Sequence, residues 1–153
     1  MGFQFACEWC CTSKYLASRC GDHFFSERPN TFIPQFIDEK WESFWPDPPF
    51  PSFPSGHAIQ ASAAATALLD TFDDQIKFID SAHVGRERDH VRNVEFKARS
   101  FSSIWAIAQE TADSRFYGGI HTPQDNKVGL EQGVIIAENI LYLYIIISLV
   151  ISK

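Results

Sequence analysis

Two short stretches of this chain carry the residue types that chemistry on a small oxyanion needs. The first is Pro54-Ser55-Gly56-His57, where a proline-rich run gives way to Ala58-Ile-Gln-Ala-Ser-Ala-Ala-Ala. Pro51 and Pro54 forbid helix up to that corner, because each fixes φ and lacks an amide donor. The alanine-rich run after it has no breaker. Ser55 and Gly56 therefore fall at a helix N-terminus, where unpaired N–H groups and the positive end of the dipole favour an anion. Ser55 adds a hydroxyl, Gly56 permits close backbone approach, and His57 sets an imidazole beside the guest. The competing reading is an ordinary serine N-cap followed by an incidental histidine.

The second stretch is Ser114-Arg-Phe-Tyr-Gly-Gly-Ile-His121, followed by Asp125. Arg115 offers a planar fork that can reach two oxygens of one anion. His121 can present one ring nitrogen to the central atom while a carboxylate or carbonyl holds its other N–H. His121 and Asp125 are four residues apart and share a face wherever one helix includes both. Here too plainer readings stand beside the functional ones. Asp125 fits the acidic position of a capping box, Arg115 a surface ion pair, and His121 a satisfied loop histidine.

Three helices are expected to position these corners. The first spans Ser55 to Phe72, small on several faces and suited to close packing, and the second Ser100 to Ala112, with Phe101, Ile104, Trp105, Ile107 and Ala108 along an apolar face. The Gly118-Gly119 pair then bends the backbone. Thr122-Pro-Gln-Asp125 opens the third helix, with Thr at N-cap, Pro at N1 and an acid at N3, running to about Leu149. Residues 29 to 54 hold seven of the eight prolines, interleaved with Phe32, Phe36, Trp41, Phe44, Trp45, Phe50 and Phe53. That segment reads as a loop that covers the helical core with rings, with one short helix near Ile37 to Phe44. The run from Arg86 to Arg92 reads as solvated surface, and His83 and His90 have no partner spacing.

A chain of 153 residues is expected to form one domain, and 45% hydrophobic content with 14 phenylalanines is that of a globular protein. A net charge of −6 without a basic run argues against nucleic acid as partner. All four cysteines lie in the first 20 residues. Cys7-x2-Cys10 with Cys20-x2-His23 has a zinc-knuckle spacing, although an incidental cluster accounts for it as well. Met1 to Lys14 lacks the pattern of a signal peptide, and the compartment stays open. At the other end, residues 140 to 151 are apolar all round but fall short of the roughly 20 residues that span a bilayer. They are read first as a helix that expects a partner surface, with membrane contact as the lesser alternative. The division expected is an irregular head over 1–27, a helical domain over 28–139 and an apolar tail over 140–153, compatible with a homo-oligomer.

Pro54-Ser-Gly-His57 and Ser114-Arg115-x5-His121-x3-Asp125 resemble the second and third signatures of the superfamily of type 2 phosphatidic acid phosphatases (PAP2) and vanadium-dependent haloperoxidases. The flanking Pro-Pro-Phe-Pro-Ser-Phe-Pro-Ser-Gly-His-Ala and Arg99-Ser-Phe-Ser-Ser103 are closer to its soluble haloperoxidase branch, whose members are often exported. The resemblance implies an all-α helical bundle and a site in which Arg28, Ser55, the Gly56 N–H and Arg115 bind the oxygens of vanadate, with phosphate able to take its place. His121 would be the axial vanadium ligand in a haloperoxidase, which oxidises halide with hydrogen peroxide. In a phosphatase acting on a phosphate ester it would be the nucleophile that forms a phosphohistidine. His57 would serve as acid or base and Asp125 would orient His121. The first family signature is a lysine, six residues and Arg-Pro. Arg28-Pro29 matches its end, Gly21 stands at the lysine position, and Lys14 has the wrong spacing. This departure, with the cysteine-rich head and the isoleucine-rich tail, points to a truncated member and keeps a non-catalytic oxyanion-binding remnant beside the two enzymatic readings.

Overall fold

In a computed structural model that describes residues 26–72 and 76–151, the chain is mainly helical. Arg28 is extended and Pro29 occupies the first turn of α1 (Pro29–Phe36). A proline at this position starts a helix because its φ is preset and its missing N–H has no partner there anyway. This displaces the short helix expected near Ile37 to Phe44. Beyond α1 the Asp38 side chain instead accepts the Lys40 N–H at 3.0 Å and its carbonyl the Trp41 N–H at 3.0 Å, which makes a turn.

The chain runs through a series of bends without helix or strand to Pro54, reached by a cis Phe53–Pro54 peptide, and enters α2 (Gly56–Leu69) at Ser55. α2 ends at Leu69 rather than Phe72, because the N–H groups of Asp70, Thr71 and Phe72 fold back onto Thr66 and Leu68 carbonyls as turns. The connection to the next helix holds an antiparallel pair that periodicity did not suggest, β1 (Phe78–Asp80) against β2 (Arg99–Phe101), with the Phe78 and Phe101 rings stacked at 5.3 Å. Because β2 takes residues 99–101, the following helix starts late, at α3 (Ile104–Tyr117), with Ser103 as N-cap. It also runs past Ala112 to the Gly118-Gly119 pair, which puts Arg115 on its last turn. The last helix is α4 (Pro123–Ile151). Thr122 N–H donates to Asp125 Oδ2 at 2.8 Å and Asp125 N–H to Thr122 Oγ1 at 3.2 Å, the capping box expected there.

The core lies where α2, α3 and α4 pack, and it is built of small side chains. Ala63 packs on Ala137, and Ala65 on Ile104 and Ala108. Closest approach is between α2 and α4. A Cβ on Gly133 would lie 1.9 Å from Ser62 Oγ and 2.3 Å from the Ile59 carbonyl oxygen, and one on Gly129 would lie 2.7 Å from the Ser55 carbonyl oxygen. This narrow core takes in Phe101 and, partly, Trp105. None of the seven rings between Phe32 and Phe53 is buried. They meet one another, as Phe32 does Phe36 at 4.9 Å, or lie on the glycine pair, where Trp45 occupies the space a Cβ of Gly118 would need and Trp41 that of Gly119. Gly119 also has φ of +74°, which a residue without Cβ adopts at little cost.

α4 runs without a break through residues 139 and 140, and from Tyr142 onward its side chains are exposed on all sides. Glu138 and Asn139 interrupt the apolar run in sequence but not the helix. An 18-residue window with mean hydropathy 2.4 is 6% buried, so by length and composition this helix could cross a membrane, contrary to the shortfall read from the run alone. The Cys-rich head, Lys14, Gly21 and the zinc-knuckle spacing lie outside the described residues.

Substituting Gly133→Val places methyl groups against α2 backbone that cannot move aside independently. Urea unfolding should show a loss of about 1–3 kcal/mol, while Val91→Ala, at a side chain 92% exposed, should leave stability within about 0.5 kcal/mol.

Candidate functional site

The N-termini of α2 and α4 meet. The Ser55 N–H donates to the Asp125 carbonyl at 3.0 Å, so the first residue of one corner is tied to the end of the other. The second corner is closed on itself by the Arg115 carbonyl, which accepts the Ile120 N–H at 3.0 Å and the His121 N–H at 3.2 Å. Between them lies a cleft of about 460 Å³ lined by Gly56, His57, Gln60, Arg115 and His121, with Phe50 and prolines of the wrapping segment. A second cleft of about 620 Å³, bounded by Phe32, Ile33, Trp41, Phe116 and Tyr117, reaches His121 from the other side.

Of the residues singled out in the sequence, Gly56, His57, Arg115 and His121 are gathered around one cavity. His57 is exposed at it, whereas His121 is buried. Asp125 lies behind His121, its Oδ2 at 3.6 Å from Nδ1. Ser55 is buried and outside the cavity lining, its hydroxyl accepting the Ala58 N–H at 3.4 Å, so the capping role weighed for it is the one observed. Arg28, 4% exposed, also stands outside the lining. Its Nε donates to the Phe50 carbonyl at 2.7 Å, Nη2 to that of Pro51 at 3.2 Å and Nη1 to that of Ile120 at 3.1 Å, and Asp47 faces Nη1 at 3.3 Å. The guanidinium thus brackets the two corners through their backbones. Nothing in the sequence distinguishes an arginine that binds carbonyls from one that binds anions.

Electrostatically the cavity lacks negative charge. Burial lowers the Arg115 guanidinium below its ordinary pKa with no acid to offset it, and its buried Nε has no hydrogen-bond partner among the described residues. An arginine with an unanswered buried donor, beside a helix N-terminus, suits a small anion. Burial likewise lowers Arg28, against the opposing charges of Asp47 and Asp125. Asp47 is pushed up by burial in spite of Arg28 and His121. For Asp125, burial alone would raise the carboxyl, but the His121 ring and hydrogen bonds from Ser52 and Thr122 outweigh it and hold the group below the usual carboxylate range.

Two buried residues escaped the sequence reading. Ser52 Oγ lies 2.5 Å from Asp125 Oδ2 and 3.3 Å from His121 Nδ1. Asn126 Nδ2 donates to the Ala112 carbonyl at 2.7 Å and fastens α4 to α3. The only hint of Ser52 was its place between Pro51 and Phe53 in the first corner; Asn126 had its adjacency to Asp125.

Fold and cavity together define a helical-bundle domain with a cleft at converging helix N-termini. A family model described as the VCPO second helical-bundle domain matches residues 26–145. The chain belongs to this family, and with it to the vanadium haloperoxidase and PAP2 superfamily. Among solved structures it is similar to the first bacterial vanadium-dependent iodoperoxidase, at 36% identity and TM-score 0.64 over 75% of this chain and 26% of that one. A holo-type bacterial vanadium-dependent chloroperoxidase, at 22% identity and TM-score 0.56 over 66% of this chain and 22% of that one, shares the fold. The chain therefore spans about a quarter of the length of these solved relatives. No curated protein matches it.

The lowered Asp125 carboxyl has a sign in stability. Its contribution is complete above the unfolded carboxylate range and is lost as pH falls through the lower folded value. Asp125→Asn should therefore flatten the acid limb of the curve of stability against pH, measured by denaturant unfolding from neutral to acidic pH, relative to the unsubstituted chain.

Proposed function

We propose that the cleft between the two corners holds vanadate and serves the oxidation of halide by hydrogen peroxide. The observation that carries this is Arg115, with no acid set against it, lining the same cavity as Gly56 and His121. In this reading Arg115 and the backbone N–H groups at the start of α2 bind oxygens of the anion. His121, held by its loop and by Asp125 behind it, would hold the group through a ring nitrogen. His57, exposed at the cavity, exchanges protons with solvent and delivers or removes one at the bound group. When bound, vanadate supplies a Lewis-acidic centre that activates hydrogen peroxide toward a halide. The iodoperoxidase named among the similar structures makes iodide the halide to try first.

A second reading has support in the same donors. They address the oxygens of a tetrahedral anion and would serve phosphate equally, so a phosphate monoester phosphatase working through His121 is the alternative. The glycine at the lysine position of the first signature favours a third outcome, in which the anion binds without turnover.

Orthovanadate and phosphate should each raise the thermal midpoint of the chain, and titration calorimetry should give one site. Arg115→Ala should weaken vanadate binding by about 1.5–3 kcal/mol, the range for a hydrogen bond to a charged group. Peroxide-dependent halogenation of a phenolic dye with added vanadate, against hydrolysis of a chromogenic phosphate ester, separates the two enzymatic readings. Absence of any vanadate or phosphate binding by the unsubstituted chain overturns all three.

A further inference from the structure

We propose that Ser52 is a positioning residue that couples Asp125 to His121 and thereby decides which imidazole nitrogen is left open to the cleft. The inference rests on reading His121 as the axial group of an oxyanion site. Its own ground is the geometry behind that histidine. The direct distance from Asp125 Oδ2 to His121 Nδ1, 3.6 Å, is too long for a hydrogen bond. Ser52 Oγ stands between them at 2.5 Å and 3.3 Å.

A serine hydroxyl has one proton to give. The shorter contact, to a carboxylate, is the length of a charge-assisted O–H bond and takes that proton. A lone pair of Oγ then faces Nδ1, and a hydrogen bond forms there only if Nδ1 carries a hydrogen. Neutral His121 is thus held as the Nδ1–H tautomer, which leaves the lone pair on Nε2 for a guest. Asp125 cannot turn toward the ring by itself, since the same Oδ2 accepts the Thr122 N–H at 2.8 Å.

Ser52 is well placed to hold this arrangement. It is fully buried, as are His121 and Asp125 to within a few per cent, so water does not compete for the three groups. The backbone leading into it is fastened: the Ser52 N–H donates to the Ser26 carbonyl at 2.9 Å, and Arg28 holds the carbonyls of Phe50 and Pro51. The bracket made by Arg28 thereby acts on the histidine through the serine. A serine that merely filled a polar gap would leave the tautomer indifferent to its removal.

The test is long-range ¹H–¹⁵N correlation on the full chain with labelled histidine, at a pH where the ring is neutral, joined to calorimetric titration with orthovanadate. The unsubstituted chain should show His121 as Nδ1–H. Ser52→Ala should give a mixed or Nε2–H ring and weaken vanadate by about tenfold or more, as loss of an outer-shell partner does. Ser52→Cys, near-isosteric with a weaker donor, should fall between and serves if Ser52→Ala does not fold. An Nε2–H ring in the unsubstituted chain, or an unchanged Nδ1–H ring in Ser52→Ala, overturns the proposal. If the unsubstituted chain binds no oxyanion, the reading of the site fails, while the tautomer still decides the role of Ser52.

Discussion

The structure depends on two helix N-termini being forced together. Each carries partial positive charge and unpaired donors, so their convergence is unfavourable unless something answers it. Part of the answer is internal: the Asp125 carbonyl takes the Ser55 N–H, and the Asp125 carboxylate caps its own helix. The approach is possible only because Gly129 and Gly133 let α4 lie against the backbone of α2 near Ser55, Ile59 and Ser62. Arg28 and Arg115 then add further positive charge to the same place. Arg28 is answered by three carbonyls and Asp47, whereas the buried Nε of Arg115 has no partner among the described residues. The cavity is the part of this arrangement that internal groups leave uncompensated, and it is there that the proposed oxyanion would bind.

Seen this way, the residues divide by how they act. Gly56, His57, Arg115 and His121 face the cavity, while Ser52, Ser55, Asp125 and Arg28 build the frame behind it. The frame ties segments distant in sequence through hydrogen bonds that are mostly buried, where each counts for more than at a surface. The wrapping segment contributes through its backbone and one hydroxyl more than through its rings, and the tryptophans find their place on the glycine pair beside the second corner.

Much of this was legible in the chain before folding, because local chemistry and fold agree there. The start of α2 followed from prolines abutting an alanine run, and the start of α4 from Thr122, Pro123 and Asp125, whose reciprocal bonds need no tertiary partner. The pairing of the two corners was suggested by residue types alone. What could not be read depended on contacts across the fold or on elements too short to show a period. β1 and β2 are three residues each, and taking residues 99–101 into a strand moved the start of α3. α1 starts at Pro29, a helix-starting residue, and ends before the Ile37 to Phe44 stretch where a short helix was expected. Arg28 could have bound an anion or carbonyls equally well. The spacing of Gly129 and Gly133, one helical turn apart, was a signal available in the sequence and passed over.

The most direct measurement of the central claim is a crystal structure of the chain grown with orthovanadate. The account predicts the anion on the floor of the cleft, met by the Arg115 guanidinium and the backbone at Gly56, with the His121 ring edge toward it. An ordered structure in which the anion sits elsewhere, or in which residues 57, 115 and 121 do not share a cavity, would contradict it.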